Sequence, residues 1–153
     1  MILVSACLLG VNCKYNGGNN KNGRVIEFLK GKKFIMVCPE ELGGLTTPRI
    51  PSEIIDTARD VINGKGKILN KSGDNVTEKF LKGAYETLKI VKDKGIKVAI
   101  LKAKSPSCGS GLVYDGTFSN KLILGNGVTA EMLKDNKIEV ITEEDISIGH
   151  NFI

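Results

Sequence analysis

The chain has 153 residues, 41% of them hydrophobic and 25% charged, with no Trp and only 5% aromatics. That length suits one domain over residues 1–153 with a single core built mainly from Ile, Leu and Val. Lys and Arg outnumber Asp and Glu by 22 to 17, a formal charge of +5. The lysines are spread singly, however, so the excess reads as a solvated face that permits a nucleic-acid partner without arguing for one.

Met1 to Gly10 is apolar, lacks a basic leader and runs into an Asn/Gly-rich loop, so it is expected to be a buried strand and not a signal peptide. No run approaches 18 consecutive apolar residues, which excludes a spanning helix. A cytoplasmic, reducing setting is therefore expected, where four cysteines point to metal binding or thiol chemistry more than to a disulfide framework.

The first strand, Ile2-Leu3-Val4, ends at Ser5-Ala6-Cys7, and a loop through Asn12, Cys13 and Gly18 follows. Helix-like spacing of Val25, Ile26 and Leu29 predicts a helix over 22–30, closed by Gly31. Phe34 to Val37 is a second strand, stopped by Cys38-Pro39. Gly43 to Pro51 is expected to be an ordered loop, and 57–62 with 67–70 a hairpin around Gly64-Lys65-Gly66. The clearest element is a helix over 75–94, opened by Asn75 with Glu78 and stopped by Gly95. Its apolar face carries Phe80, Leu81, Ala84, Leu88 and Val91. A third strand over 96–101 leads into Lys104 to Gly109, and Tyr114-Asp115-Gly116 marks a second Gly-rich loop. A short helix over 127–135 and a last strand over 138–141 complete the pattern. Strands alternating with helices predict an α/β fold with a parallel, Rossmann-like sheet flanked by helices and Gly/Pro-rich loops at the strand ends.

Cys7, Cys38 and Cys108 each fall at, or just past, the carboxyl end of a predicted strand. Ligand crevices open on that edge of a parallel sheet, and neighbouring strands lie only about 5 Å apart. Three thiolates can converge there without any CxxC motif. Pro39, Pro106 and Gly109 stiffen the backbone beside them, and glycine amides are free to bond cluster sulfides. A single cysteine would read as a small buried apolar residue, but three at strand ends favour metal or thiol chemistry. Spacing leaves zinc and iron–sulfur both open.

The motifs Ser5-Ala6-Cys7-Leu8-Leu9-Gly10, Cys38-Pro39-Glu40-Glu41-Leu42-Gly43-Gly44-Leu45-Thr46-Thr47-Pro48-Arg49 and Ser105-Pro106-Ser107-Cys108-Gly109 together resemble the thiouracil desulfidase family. Tyr114 to Phe118 and Gly125 to Ala130 fit the same pattern, and the resemblance runs from Met1 to about Glu144. Around Cys13 the chain departs from it, reading Lys14-Tyr15-Asn16-Gly17 where many relatives carry Arg and Asp. The resemblance implies a 4Fe–4S cluster on three protein cysteines, with the fourth iron open to the sulfur of a thiolated nucleobase. The implied reaction is non-redox: 2-thiouracil becomes uracil and hydrogen sulfide. A nucleoside, or thiouridine in tRNA, is a further substrate it implies.

Carried onto this chain, the implied ligands are Cys7, Cys38 and Cys108, and Glu40 is the candidate base for the attacking water. Ser105 and Ser107 are candidate hydroxyl donors, each otherwise a routine turn residue beside Pro. Arg49 is a candidate for balancing charge on cluster or substrate, and Tyr15 and Tyr114 for stacking on a planar base. Cys13 ranks first as buried filler, with spare ligand or sulfur relay behind. His150 reads as a surface or packing residue. A non-catalytic iron–sulfur or zinc module for redox or sulfur handling is the competing reading.

Overall fold

Ile2–Ser5 is buried along its whole length and forms β1, the strand around which the sheet is arranged. In the computed structural model, which describes residues 1–147, β1 is followed by a 3-10 turn over Ala6–Leu9, α1 over Gly23–Leu29 and β2 over Phe34–Val37. Next come α2 (Pro39–Leu42), β3 (Ser52–Ile54), α3 (Ala58–Ile62), β4 (Ile68–Asn70) and the long α4 (Thr77–Lys94). The chain continues through β5 (Val98–Leu101), β6 (Leu112–Tyr114), β7 (Leu122–Leu124), α5 (Val128–Asp135), β8 (Glu139–Thr142) and α6 (Glu143–Ser147). His150 lies outside the described residues.

Four strands make the main sheet in the order β2-β1-β5-β8, and every pairing is parallel. Strand alternation divides the core between the two faces. Leu3, Ala99 and Leu101 pack with Val91 of α4 and with Ala130 and Leu133 of α5. Ile2, Val4, Ile100 and Ile141 pack instead with Val25 and Leu29 of α1 and Ile146 of α6. The chain first moves from β1 outward to β2, then returns to the other side of β1 to lay down β5. That reversal makes the carboxyl end of β1 a topological switch point, where open α/β sheets form their ligand crevices.

Local chemistry explains the element ends. Asn22 caps α1 through its side-chain oxygen, accepting from the backbone N–H of Arg24 and Val25. Gly95 ends α4 in the left-handed region at φ 64°, the stop expected of glycine. The start of α4 differs from expectation. Asn75 accepts from the Thr77 N–H and hydroxyl, so it builds a turn that delays the helix to Thr77.

The expected hairpin of 57–62 with 67–70 is corrected. Thr57 accepts from the Asp60 N–H and caps a short helix, α3, whose Ala58 and Val61 are buried. The partner of β4 is β3, antiparallel, with Ser52 opposite Asn70. Beneath this hairpin a third apolar cluster joins Ile54, Val61, Ile68, Phe80, Val128 and Met132. Among the described residues no helix is long and apolar enough to cross a membrane.

Candidate active site at the carboxyl edge of the sheet

The 3-10 turn after β1, the Cys38 cap between β2 and α2, and the loop after β5 all leave the sheet at one edge. There they enclose a cavity of about 480 Å³ that all four cysteines line, together with Glu40, Arg49, Tyr15, Tyr114, Lys102 and Ser105. The volume is in the range that encloses a small organic ligand. Residues separated by a hundred positions meet because the parallel register brings the ends of β1, β2 and β5 side by side.

The thiols are not equivalent. Cys13 sits between Cys7 and Cys38 with its single thiol proton within hydrogen-bond reach of either sulfur, and these contacts, with burial, hold its own pKa far above the ordinary thiol value. Receiving that bond lowers Cys7 to about 7, against the opposing effect of burial and with help from the Asn20 amide and the Lys102 ammonium. Cys38 is lowered when it is the sulfur that Cys13 bonds, aided by a backbone N–H from Glu41 and by Arg49. Cys108 is 5% exposed, and burial pushes its pKa up, while a hydrogen bond from Ser5 and the nearby acidic groups act more weakly.

Glu40 and Arg49 form a pair inside the cavity wall. Arg49 Nε donates to Glu40 Oε1 at 3.2 Å, with side-chain exposures of 7% for Arg49 and 19% for Glu40. Burial raises the Glu40 pKa, and the Arg49 cation only partly offsets this. The rest of the guanidinium is committed to protein: Nη1 donates to the Thr46 carbonyl and the Thr47 hydroxyl, and Nη2 to the Cys13 carbonyl at 2.8 Å. Arg49 therefore clamps the Cys13 loop to α2 and orients Glu40, with four of its five N–H donors engaged by protein groups.

The two serines separate. Ser105 lines the cavity, and its oxygen accepts from the Ser107 and Cys108 amides, leaving its own proton free for a cavity ligand. Ser107 is 1% exposed and shares a hydrogen bond with Thr129 at 2.8 Å. It stands behind the wall and fastens the loop to α5. Its neighbours do likewise: the Pro106 and Ser107 carbonyls accept the first N–H groups of α5. Tyr15 is 42% exposed at the cavity mouth, positioned by its carbonyl accepting from the Arg49 N–H.

The donor set suits an iron–sulfur cluster. Such clusters are held by cysteine thiolates, and four thiols with hydrogen-bond donors behind them face one cavity. Among the described residues no group of three or more Cys, His, Asp or Glu is arranged to hold a single metal ion.

Residues 2–145 match the 2-thiouracil desulfurase family. The chain belongs to this family. It is 49% identical over 148 residues to the uncharacterized protein YbbK of Bacillus subtilis strain 168, a match covering 96% of this chain and 98% of YbbK. Among solved structures it resembles the 4Fe-4S-dependent thiouracil desulfidase TudS. The TM-score is 0.84 at 35% identity, over 96% of this chain and 93% of that one.

Other members of the cavity carried no signal in the sequence. Three of the four non-glycine residues with positive φ among those described, Lys104, Phe118 and Asn120, line it. Strained backbone of this kind persists only where surroundings hold it. At Phe118 the Glu53 carboxylate does so, accepting from the Gly116 and Phe118 N–H groups at 2.9 and 3.2 Å. Lys102 joins the wall through a pair with Glu143 at 2.7 Å. A carboxylate on a three-residue strand has no local pattern to mark it.

Proposed function

We propose that this chain removes sulfur from a thiolated nucleobase, converting 2-thiouracil and water to uracil and hydrogen sulfide, with a 4Fe–4S cluster held by Cys7, Cys38 and Cys108. The observation that supports it is the cavity itself, which combines thiols from three strand ends with a buried, desolvated carboxyl at one switch point. Held there by Cys7, Cys38 and Cys108, a cluster would supply Lewis-acid chemistry toward the carbon–sulfur group of the substrate.

The protein supplies the remainder. Glu40, fixed in orientation by Arg49, accepts a proton from the water that attacks that carbon. Ser105 offers its hydroxyl proton to the base or to the departing sulfur. Tyr15 and Tyr114 border the mouth with ring faces suited to a planar pyrimidine. Cys13 stays protonated as a donor between two ligands, and Ser107 is structural. The cavity volume favours a free base or nucleoside, with thiolated tRNA as the rival substrate.

A non-catalytic cluster module would need only the thiols, and the Glu40–Arg49 pair is what favours catalysis. Protein purified without oxygen is expected to be brown and to hold about four irons per chain, and to release sulfide from 2-thiouracil. Glu40→Ala should lose at least about a hundredfold in kcat with iron content intact. A variant that kept full turnover would remove Glu40 from the mechanism, and colourless protein carrying zinc would defeat the cluster. Assaying base, nucleoside and tRNA in parallel identifies the substrate.

A further inference from the structure

Besides Cys13, two neutral side chains outside the proposed ligand set touch ligand sulfurs. Ser5, the last residue of β1, is 2% exposed, and its hydroxyl donates to Cys108 Sγ at 3.4 Å. The same oxygen accepts the Lys102 backbone N–H at 2.9 Å. A serine hydroxyl has one proton, and with a lone pair engaged by Lys102 that proton is directed to sulfur. Asn20, which also lines the cavity, donates from Nδ2 to Cys7 Sγ at 3.4 Å. The Asn20 backbone N–H bonds the Cys7 carbonyl at 3.0 Å, so the amide is held in place by a second contact.

Neither contact is an accident of chain proximity, since Ser5 and Cys108 lie 103 positions apart and Asn20 and Cys7 lie 13 apart. Packing alone does not account for Ser5 either. It follows three buried apolar residues on β1, where burying a hydroxyl costs free energy unless it is bonded.

We propose that Ser5 and Asn20 are positioning residues for the cluster, each donating a hydrogen bond to a ligating sulfur, Ser5 to Cys108 and Asn20 to Cys7. This rests on the ligand assignment above. Such bonds draw electron density off the sulfur, which leaves the iron more electron-poor and raises the reduction potential. The two donors serve different sulfurs, so their effects add.

The test compares reconstituted wild type with Ser5→Ala, Asn20→Ala, the double variant and Ser5→Thr, which keeps the hydroxyl. Iron and sulfide content, the midpoint potential from an EPR-monitored titration and the Fe–S(Cys) stretches in resonance Raman are read for each. Both alanine variants are expected to load fully, with a more negative potential and stretches moved to higher frequency. The double variant should show the sum, and Ser5→Thr should return towards wild type. If Ser5→Ala does not load, Asn20→Asp decides, since it replaces the donor by an acceptor and should lower the potential beyond Asn20→Ala. Fully loaded alanine variants with wild-type potential and Raman bands would overturn the inference. Cys7→Ser and Cys108→Ser separate the two claims: retention of all iron in either refutes the ligand assignment, whereas iron loss there alongside unchanged alanine variants refutes only the hydrogen-bond roles.

Discussion

Glu40 is a cavity carboxylate whose environment pushes two ways at once. Burial favours its neutral form, and the Arg49 cation favours the charged form that a base must have. The net displacement is upward, so the acid limb of kcat/KM should lie above the ordinary carboxylate range. Activity falls as pH drops through that limb, because protonation removes the base. Arg49→Ala takes away the cation that stabilises the charged form, and the limb should move to still higher pH. Arg49→Lys keeps the charge and should move it less. Since Arg49 also bonds the Cys13 carbonyl, iron content must accompany each profile to separate a moved pKa from a damaged site. An acid limb that stayed put in Arg49→Ala, with iron retained, would show that another group controls the profile.

At the scale of elements, the position of Glu40 depends on how closely α2 approaches α4. Gly43 and Gly83 face each other there: a Cβ on Gly83 would overlap the Pro39 carbonyl, and one on Gly43 the Lys79 carbonyl. Backbone meets backbone, so no side chain can swing aside. Gly83→Ala should therefore cost on the order of 3 kcal/mol and lower Tm by on the order of 10 °C, displacing Cys38 and Glu40 with it. A thermal melt like wild type would mean the helices separate freely. The tip of the β6–β7 hairpin is fixed in a comparable way by Glu53. Glu53→Ala should raise KM for 2-thiouracil roughly tenfold, the equivalent of losing ~1.4 kcal/mol of preorganisation. Its kcat should be little changed, and a KM equal to wild type would leave Phe118 and Asn120 without a part in binding. These contacts mark the limit of what the residues reveal in order. The main strands and α4 are legible because each carries its own period and stop, Gly95 above all. The β3–β4 pairing is not, because Ser52–Ile54 is too short for alternation and Thr57 caps a helix within a segment that reads equally well as strand.

For the molecule as a whole, the convergence of the cysteines was legible from their place at strand ends, since parallel topology brings those ends together whatever the loops do. The division of labour among them was not. That Cys13 lies in hydrogen-bond contact with its neighbours, that Arg49 is largely engaged by protein groups, and that Ser107 points at Thr129 while Ser105 faces the cavity all depend on side-chain directions that spacing does not encode. The same architecture fixes how stability relates to cofactor. Three apolar clusters hold the sheet, its helices and the β3–β4 hairpin together, and most of their members lie outside the cavity lining. The carboxyl-edge loops, by contrast, are joined to one another chiefly by polar contacts such as those of Arg49 and Ser105. A group bound by thiols from β1, β2 and β5 would link those loops and stabilise the folded state by mass action. Chelating the iron should accordingly leave far-UV circular dichroism nearly unchanged while Tm falls by roughly 5 °C or more. Amide exchange should quicken in the loops holding Cys7, Cys13, Cys38 and Cys108, and stay slow in β1 and β5. Loss of the helical signal on chelation would show instead that the core itself depends on iron.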